Sequence, residues 1–376
     1  MLSRFLRIAG LFLLLTAAVQ RPQSERIVAI GDVHGNLDGF QSILKTAGLI
    51  DDASQWTGGR ATLVQLGDLV DRGPKSRALL DYLMGLQADA QKKGGTVRVS
   101  LGNHEVMNLI GDLGYVVAAD YAAFTDPRSE QRRRNAFRDY SRIESRKGRM
   151  PDEEVWMKAH PLGFVEHREA FGPQGKYGKW LRSLPAINKV GNSIFLHGGI
   201  NPSLQFKNID QLNTSIKTEV QAFDRITQYL IGKELALPFY TLVEFVQAAK
   251  EEFDKTNAIS PVDQTPETRA HAQVVGSLSE ITSWMMVNDN GPLWFRGYDR
   301  WSDTEGEPQV AQLIERLDVK RIVVAHTPQP NGEIRSRFGG RVFLIDTGMF
   351  IGRASALEIS GDRIRALYAN SQTDFN

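Results

Sequence analysis

Short apolar segments recur along the chain, and each is followed directly by polar residues, usually with glycine beside them. Segments of this length that are rich in Val, Ile and Leu predict buried strands. We predict six strands, at residues 26–30, 61–66, 96–101, 193–196, 321–325 and 341–345. Helical periodicity predicts helices at about 37–46, 76–92 and 132–147. This succession of strands and helices indicates an α/β fold in which helices cover the faces of a sheet.

A longer stretch, about 208–285, has a mainly helical pattern. We interpret it as an insertion within a domain of residues 21–376, and we expect it to cover one side of the site. Its apolar residues Met285-Met286 and the stripe from Phe239-Tyr240 to Phe245 either line a substrate groove or pack as core. Apolar residues at helical spacing are more often core.

Polar residues stand at the ends of all six predicted strands. They are Asp32, His34, Asp68, Asn103, His104, His197, His326 and Asp346. In open sheets flanked by helices, ligands bind just beyond the carboxyl ends of the strands. Packing alone would favour apolar residues there, because buried unpaired polar groups are costly. We interpret His160, His167 and His271 differently, as packed or surface histidines. Asp346 is either a hydrogen-bond partner behind the site or a turn residue.

The segment from Gly67 to Gly73 brings two carboxylates and an arginine together after an apolar strand. Carboxylates this close repel one another unless a cation or hydrogen-bond donors lie between them. We therefore expect Asp68 to hold metal, with Asp71 and Arg72 acting beside it. The alternative is a loop with a solvated salt bridge.

The residues at the strand ends fit two divalent metal ions. One ion would take Asp32, His34 and Asp68, and the second would take Asp68, Asn103, His197 and His326, with Asp68 as the bridge. Oxygen and imidazole ligands suit manganese, our first choice, and also iron, zinc or magnesium. Two ions roughly 3.5–4 Å apart depress the pKa of a shared water. We expect the resulting hydroxide to attack phosphorus in one step, without a phosphoenzyme.

The remaining polar residues suit phosphoryl transfer. Arg72 and Arg296 can hold phosphoryl oxygens through bidentate hydrogen bonds. His104 follows Asn103, so its side chain diverges from the metal and can donate a proton to the leaving oxygen. Asp71 can hold His104 in its charged form.

Composition excludes several classes of function. The chain has 376 residues, 41% of them hydrophobic and 24% charged, as in soluble globular proteins. Its net charge of +1 leaves no basic excess for binding nucleic acid. The absence of cysteine excludes thiolate metal sites and a cysteine nucleophile.

Residues 1–20 have the three-part pattern of a secretory signal peptide, in which Arg4 and Arg7 precede a short apolar core and small residues. We predict cleavage after Ala18. The alternative is an uncleaved anchor, which would be the only membrane contact. Both readings place the mature domain outside the cytoplasm, in the periplasm or secreted from a bacterium.

Five ordered blocks resemble the calcineurin-like metallophosphoesterases, in the phosphoprotein phosphatase branch. They are Gly31–Gly35, Gly67–Gly73, Gly102–Glu105, His197–Gly199 and Ala325–His326, within about residues 26–360. The resemblance implies a sandwich of two mixed β-sheets flanked by helices. It also implies the same two sets of metal ligands, a proton-donating pair of Asp71 and His104, and a phosphate-binding Arg72.

Two further segments, Glu105–Leu109 and Pro292–Arg296, are similar to the bacterial Shewanella-like protein phosphatases. That subfamily has members active on phosphotyrosine. The chain departs from the eukaryotic serine/threonine enzymes at Ile345–Met349, where their last block carries a tyrosine. Arg296 is carried over across a long insertion, so its alignment is loose.

The leading hypothesis is a metal-dependent hydrolase of phosphomonoesters that acts on phosphoprotein or phosphopeptide, with phosphotyrosine or phosphoserine/threonine as the reacting residue. The alternative is hydrolysis of dinucleoside polyphosphates, because related bacterial enzymes share the Asp-Thr-Gly ending at Asp346. Against it stands the intact Asp71, which supports an acid for the leaving group. A third hypothesis, a non-catalytic envelope binding protein, predicts a damaged ligand set, and every expected ligand is present.

Overall fold

The computed structural model describes residues 26–375, which form two β-sheets packed face to face with helices on their outer sides. The predicted signal peptide lies outside the described residues. The strands of the described part are β1 Arg26–Ile30, β2 Thr62–Gln65, β3 Thr96–Val99, β4 Ile187–Val190, β5 Ser193–Leu196, β6 Arg321–Val324, β7 Arg335–Arg337, β8 Val342–Leu344, β9 Ser355–Ser360, β10 Arg363–Tyr368 and β11 Gln372–Phe375.

Helices account for most of the remaining ordered structure. They are α1 Leu37–Thr46, α2 Ser76–Lys92, α3 Asn103–Ile110, α4 Ala118–Ala122, α5 Ser129–Arg146, α6 Glu153–Ala159, α7 Phe164–Phe171, α8 Lys176–Ser183, α9 Ile209–Gly232, α10 Leu242–Asn257, α11 Pro266–Gly276, α12 Gly297–Arg300 and α13 Asp303–Leu317, with 3₁₀ turns at Ser277–Ser283 and Met349–Ile351. Across residues 26–375, no helix is both long and apolar enough to cross a membrane.

Both sheets are mixed. The first has the order β11-β10-β9-β1-β2-β3, in which β1, β2 and β3 are parallel and β9 to β11 are antiparallel to their neighbours. The second has the order β4-β5-β6-β8-β7, with a parallel centre of β5, β6 and β8 and an antiparallel strand at each edge. The expected α/β sandwich of two mixed sheets is therefore confirmed.

The two sheets meet through alternate residues of their strands. Ile27 and Ala29 of β1 pack in one buried cluster with Phe195, Val323 and Phe343 of the second sheet. The intervening residues of β1 face the other way, because successive side chains in a strand point to opposite faces. They join the larger cluster that the helices cover. The parallel strands therefore end at one edge, where their polar residues come together.

The structure also has elements that the sequence analysis did not predict. Strands β4, β7, β9, β10 and β11 were all missed. The segment 106–190 holds most of α3 and all of α4 to α8, of which only α5 was predicted, as a helix at about 132–147. The stretch 208–285 contains α9, α10, α11 and a 3₁₀ turn. Its apolar residues Phe239, Tyr240, Phe245 and Met286 are buried in the main core, so the groove reading fails for these four and the core reading holds.

Candidate active site

The polar residues that follow the parallel strands lie at one edge of the sandwich. Asp32 and His34 follow β1, Asp68 follows β2, Asn103 and His104 begin α3 after β3, His197 follows β5, His326 follows β6 and Asp346 follows β8. All of them are buried. Both sheets therefore contribute to one polar site in an otherwise apolar interior.

Asp68 lies at the centre of this site. Its Oδ2 lies 3.5 Å from His34 Nε2 and 3.8 Å from His104 Nε2, and its Oδ1 lies 3.3 Å from His197 Nε2. Two groups of side chains can each hold a metal ion: His34, Asp68 and His104, and Asp68, His197 and His326. Asp68 belongs to both groups, as a bridging ligand would. The first group contains His104, which was expected to donate a proton, in place of the expected ligand Asp32, whose Oδ2 lies 3.7 Å from His34 Nε2.

The second group brings His197, Asn103 and His326 together. His197 Nε2 lies 2.8 Å from Asn103 Oδ1 and 3.0 Å from His326 Nδ1. Its other nitrogen, Nδ1, lies 2.9 Å from the backbone oxygen of Leu66 and can donate to it. That bond leaves Nε2 as the lone-pair atom, which is the form that binds a metal ion.

The first group has the same arrangement. His34 Nδ1 lies 2.9 Å from the backbone oxygen of Val70, and its Nε2 lies 3.7 Å from Asp32 Oδ2. Nε2 of His34 and Nε2 of His326 are both buried and have no hydrogen-bond partner among the described residues. Buried nitrogen atoms without partners are costly unless a ligand satisfies them.

The charges at this edge favour bound cations. Burial raises the pKa of Asp32 well above its ordinary value, and the neighbouring Asp346 and Asp68 raise it further. Burial lowers the pKa of His34 to about 4, so its imidazole is neutral at pH 7. Buried carboxylates beside neutral imidazoles form a donor set for hard or borderline divalent ions. The residues present therefore fit two divalent metal ions.

Two side chains hold the loops that carry Asp68. Glu105 accepts hydrogen bonds from the backbone amides of Asp68, Leu69 and Gly102, at 2.7–2.8 Å. A Cβ on Gly102 would lie 2.3 Å from Asp68 Oδ1, so only glycine allows this approach. Gln65 bonds to the backbone of Gly67 through both ends of its amide.

His104, a member of the first group, forms a buried pair with Asp71. His104 Nδ1 lies 2.7 Å from Asp71 Oδ2, and Asn108 donates to Asp71 Oδ1 at 3.0 Å. Burial opposes the charged form of His104, but Asp68 and Asp71 outweigh it and raise its pKa. Arg72 Nη2 lies 3.2 Å from His104 Nε2, so the arginine lies against the imidazole nitrogen that does not face Asp71.

Backbone strain is concentrated at this edge. Nine described residues other than glycine have positive φ, and five of them belong to the candidate site: His34, Asp68, Asp71, Arg72 and His326. Such conformations cost energy and persist where surrounding structure enforces them, often at functional sites. Glu105 and the ion-pairing side chains supply that enforcement here.

The remaining predicted residue, Arg296, lies on the opposite side of the site. It donates from Nη1 to the backbone oxygen of His326 at 2.9 Å and to Thr327 Oγ1 at 3.1 Å. Asp346 is buried, accepts a hydrogen bond from Gly348 N at 3.0 Å, and leaves its Oδ2 without a partner. The bond from Gly348 shows that Asp346 caps a turn. Asp346 also raises the pKa of the neighbouring Asp32.

Sequence reasoning missed two aromatic residues at the mouth of the site. The rings of Tyr115 and Phe350 each lie 5.4 Å from the guanidinium carbon of Arg72. Tyr115 is 50% exposed and Phe350 37% exposed. In the sequence Tyr115 precedes Val116-Val117 and Phe350 stands between Met349 and Ile351, so no local signal separates them from core residues.

The histidines interpreted as packed or surface residues lie away from this edge. His160 stacks on Trp156 with a ring separation of 4.0 Å, and His167 stacks on Phe171 at 4.5 Å. His271 is partly exposed and lies 2.7 Å from the hydroxyl of Tyr229.

Comparison with known proteins identifies one matching family. The family model described as calcineurin-like phosphoesterase matches residues 25–330. An uncharacterised protein of Schizosaccharomyces pombe is 28% identical over 344 residues, which is 89% of this chain and 77% of that protein. Shewanella-like protein phosphatase 1 of Plasmodium berghei is 26% identical over 327 residues, covering 86% of this chain and 67% of its own.

A solved structure shows the same fold. The crystal structure of a cold-active protein-tyrosine phosphatase from a psychrophilic Shewanella species superposes with a TM-score of 0.60. The match covers 94% of this chain and 81% of the other, at 22% sequence identity. At that identity the likeness concerns the fold.

Proposed function

The chain belongs to the calcineurin-like phosphoesterase family, and from that premise we propose that it is a metal-dependent phosphoprotein phosphatase with phosphotyrosine as its preferred substrate. A hydrolytic phosphatase is supported by both the family and the site. The substrate preference rests on the aromatic residues at the mouth of the site. We also propose, from the pattern of residues 1–20, that the enzyme acts outside the cytoplasm.

The observation that carries the proposal is the position of the His104–Asp71 pair. Its Nδ1–Oδ2 contact of 2.7 Å lies directly beside Asp68, which is shared by both groups of metal-binding side chains. A purely structural metal site has no need of a buried acid at its edge. A hydrolase needs such an acid, because the leaving oxygen must receive a proton.

Asp32, His34, Asp68, Asn103, His197 and His326 would hold the two metal ions. When bound, the ions would supply a water of depressed pKa and neutralise charge on the phosphoryl group. The residues of this chain do the rest. Leu66 and Val70 fix the ring orientations of His197 and His34 through their backbone oxygens. Glu105 fixes the loop of Asp68.

Arg72 and His104 would act on the substrate itself. Arg72 binds phosphoryl oxygens through its guanidinium, which is the geometry suited to a planar pair of acceptors. His104 donates a proton from Nε2 to the leaving oxygen, while Asp71 stabilises the charged imidazole from Nδ1. Arg296 lies across the site near His326 and provides a second cationic contact.

Tyr115 and Phe350 favour an aromatic leaving group. Both rings lie 5.4 Å from the guanidinium carbon of Arg72, and both are exposed. A phosphotyrosine ring that brings its phosphate to Arg72 can pack edge or face against these rings, and such pairs contribute about 0.5–1.5 kcal/mol beyond area burial. Phosphoserine has no ring to make this contact.

Phosphate release from matched phosphotyrosine and phosphoserine peptides tests the proposal. The chain is prepared from about Gln20 onward, stripped of metal, and then resupplied with Mn²⁺. We expect release that depends on metal and is faster with phosphotyrosine. Diadenosine tetraphosphate is assayed in parallel. Release from that compound alone, with metal bound, would replace the proposal by the dinucleotide alternative.

A further inference from the structure

A cavity of about 490 Å³ lies behind α3, on the side away from the strand ends. Cavities that bind small ligands usually have volumes of roughly 300–1,000 Å³. Much of the wall is apolar, and Leu109, Phe223, Ile231, Pro238 and Phe245 contribute to it. At about 30 Å³ for each water-sized group, it holds roughly a dozen or more heavy atoms.

One wall of this cavity carries a buried arginine, Arg168, which is only 4% exposed. Its Nη1 donates to the backbone oxygen of Asn108 at 2.7 Å, but its Nε is buried and without a partner. Across residues 26–375, no carboxylate forms an ion pair with it. Tyr121 and Glu244 act on it only at longer range, and burial lowers its pKa to about 10.

A buried cation without a counter-charge is costly, whereas paired and hydrogen-bonded charges are tolerated. The second arginine of the cavity, Arg182, shows the usual solution. Its Nε and Nη2 each lie 2.8 Å from an oxygen of Asp224, and its Nη1 bonds to two backbone oxygens. Glu169 also reaches the cavity, but it is exposed at the rim. Arg168 therefore needs an anion that the described residues do not provide.

We propose that this cavity binds an amphipathic monocarboxylate, with its carboxylate on Arg168 and its acyl or aryl body against the apolar wall. The charge complements the unpaired guanidinium, and the apolar lining accounts for the body of the ligand. A free phosphate or an acidic peptide would satisfy the arginine but would leave the apolar wall hydrated.

A single residue, Asn108, connects the cavity to the pair of His104 and Asp71. Asn108, whose backbone oxygen accepts from Arg168, donates its own Nδ2 to Asp71 Oδ1 at 3.0 Å and to His104 O at 2.9 Å. Helix α3 thus begins in the active site at Asn103, and its Leu109 lies on the cavity wall. A carboxylate bound to Arg168 would compete with the hydrogen bond from Arg168 to the backbone of Asn108 and so shift α3. Such a shift would change the rate of turnover. This second step rests on the proposed function, whereas binding is measured without turnover.

Binding of decanoate and decanol to the full mature protein, measured by isothermal titration calorimetry, tests the site. The two probes share their alkyl chain and differ in charge. We expect decanoate to bind at least about tenfold more tightly than decanol, as a charge-assisted hydrogen bond predicts. Arg168→Met should remove that preference, and Arg225→Met, on the exposed face of α9, should keep it. Equal affinities for the two probes, or an unchanged preference in Arg168→Met, would overturn the site.

A second variant keeps the test decisive if Arg168→Met does not fold. Ile231→Trp fills the cavity from its half-buried wall and leaves the arginine in place. We expect it to lose decanoate binding, and retained binding would place decanoate elsewhere and refute the proposal. Phosphate release measured with and without decanoate then tests the link to α3. Saturated binding with turnover unchanged within twofold would refute that link alone.

Discussion

His104 Nδ1 and Asp71 Oδ2 lie 2.7 Å apart, and both residues are almost completely buried. Each residue also accepts a hydrogen bond from Asn108, at the other carboxylate oxygen of Asp71 and at the backbone oxygen of His104. The imidazole therefore has one orientation, with Nε2 directed toward Arg72 and Asp68. A proton donor with a single orientation gives the first prediction.

His104→Asn should lower kcat by about 10²–10³-fold on a phenyl phosphate ester, because general acid catalysis typically contributes 10²–10⁴-fold. The loss should be clearly smaller on p-nitrophenyl phosphate, whose leaving group needs less protonation. Steady-state kinetics on both esters, with metal content matched to wild type, measure the difference. Equal losses on the two esters would show that His104 acts by holding the site together and not as an acid.

Asp68→Asn should reduce phosphate release by more than about 100-fold, since Asp68 is shared by both metal groups. Even a residue that only hydrogen-bonds to a metal ligand typically costs about 10–100-fold in metal affinity or activity when it is removed. Metal content by mass spectrometry should fall in parallel. The control Asp139→Asn changes an exposed carboxylate of α5 and should leave both quantities unchanged. Full turnover in Asp68→Asn, with contaminating phosphatase excluded, contradicts the two-metal site.

Glu105→Gln should lower the free energy of unfolding by about 1–3 kcal/mol. An amide has one acceptor oxygen, so part of the set of three backbone amides now bonded to Glu105 loses its partner. Denaturant titration measures the loss, and the apparent affinity for Mn²⁺ should weaken with it. Glu130→Gln, at an exposed position on α5, serves as the control. Unchanged stability in Glu105→Gln would mean that the loop is held without this carboxylate.

Phe350→Ala should raise KM for a phosphotyrosine peptide by about 3–10-fold, the equivalent of one aromatic contact, and should change KM for the matched phosphoserine peptide by less than twofold. The neighbouring Ile351 is also exposed, at 59%, and Ile351→Ala provides the control. A similar rise in KM for both peptides would assign Phe350 to positioning Arg72 and not to recognition of the substrate ring.

His167 predicts how stability depends on pH. Burial lowers its pKa to about 3, so the unfolded chain takes up a proton near pH 6.5 that the folded chain refuses. Stability is therefore complete above pH 6.5 and falls as the pH drops below it, by about 2 kcal/mol at pH 5 at 1.36 kcal/mol per pH unit.

His167→Gln should flatten this slope between pH 7 and pH 5 in denaturant titrations. Phe171→Leu, which removes the ring that stacks on His167 but keeps an apolar side chain there, should lower stability equally at all these pH values and keep the slope. A slope that survives in His167→Gln would assign the acid sensitivity to other groups.

The sequence was sufficient for the parallel centre of both sheets, because β2, β5 and β8 are buried along their whole length, and of these parallel strands only β3 alternates exposed with buried residues. The antiparallel strands gave weaker patterns. β10 begins with two arginines in three residues, and β9, although mostly buried, contains Glu358, whose pairing with Arg26 and Arg365 becomes visible only in the fold. β4 and β7 are short and carry polar residues.

The candidate site was predictable in its residues but not in its partners. The structure brings together every polar residue expected at the strand ends, because parallel strands deliver their ends to one edge. In the sequence, Glu105 is only one residue of the Gly102–Glu105 block. Its hydrogen bonds to three backbone amides appear only in the folded chain. Tyr115 and Phe350 lie far apart in sequence, and only the folded chain places both against Arg72.

The hydrogen bond from the amide of His326 to Asp32 Oδ1 joins residues 294 positions apart. Strand β1, which ends just before Asp32, pairs with β2 on one side and with β9 on the other. During synthesis, the first segments of the site must therefore wait for almost the whole chain to emerge, and contacts of such long range form slowly. The site is thus completed only near the end of biosynthesis. Nascent or prematurely terminated chains would contain most of the metal-binding residues but would have no activity.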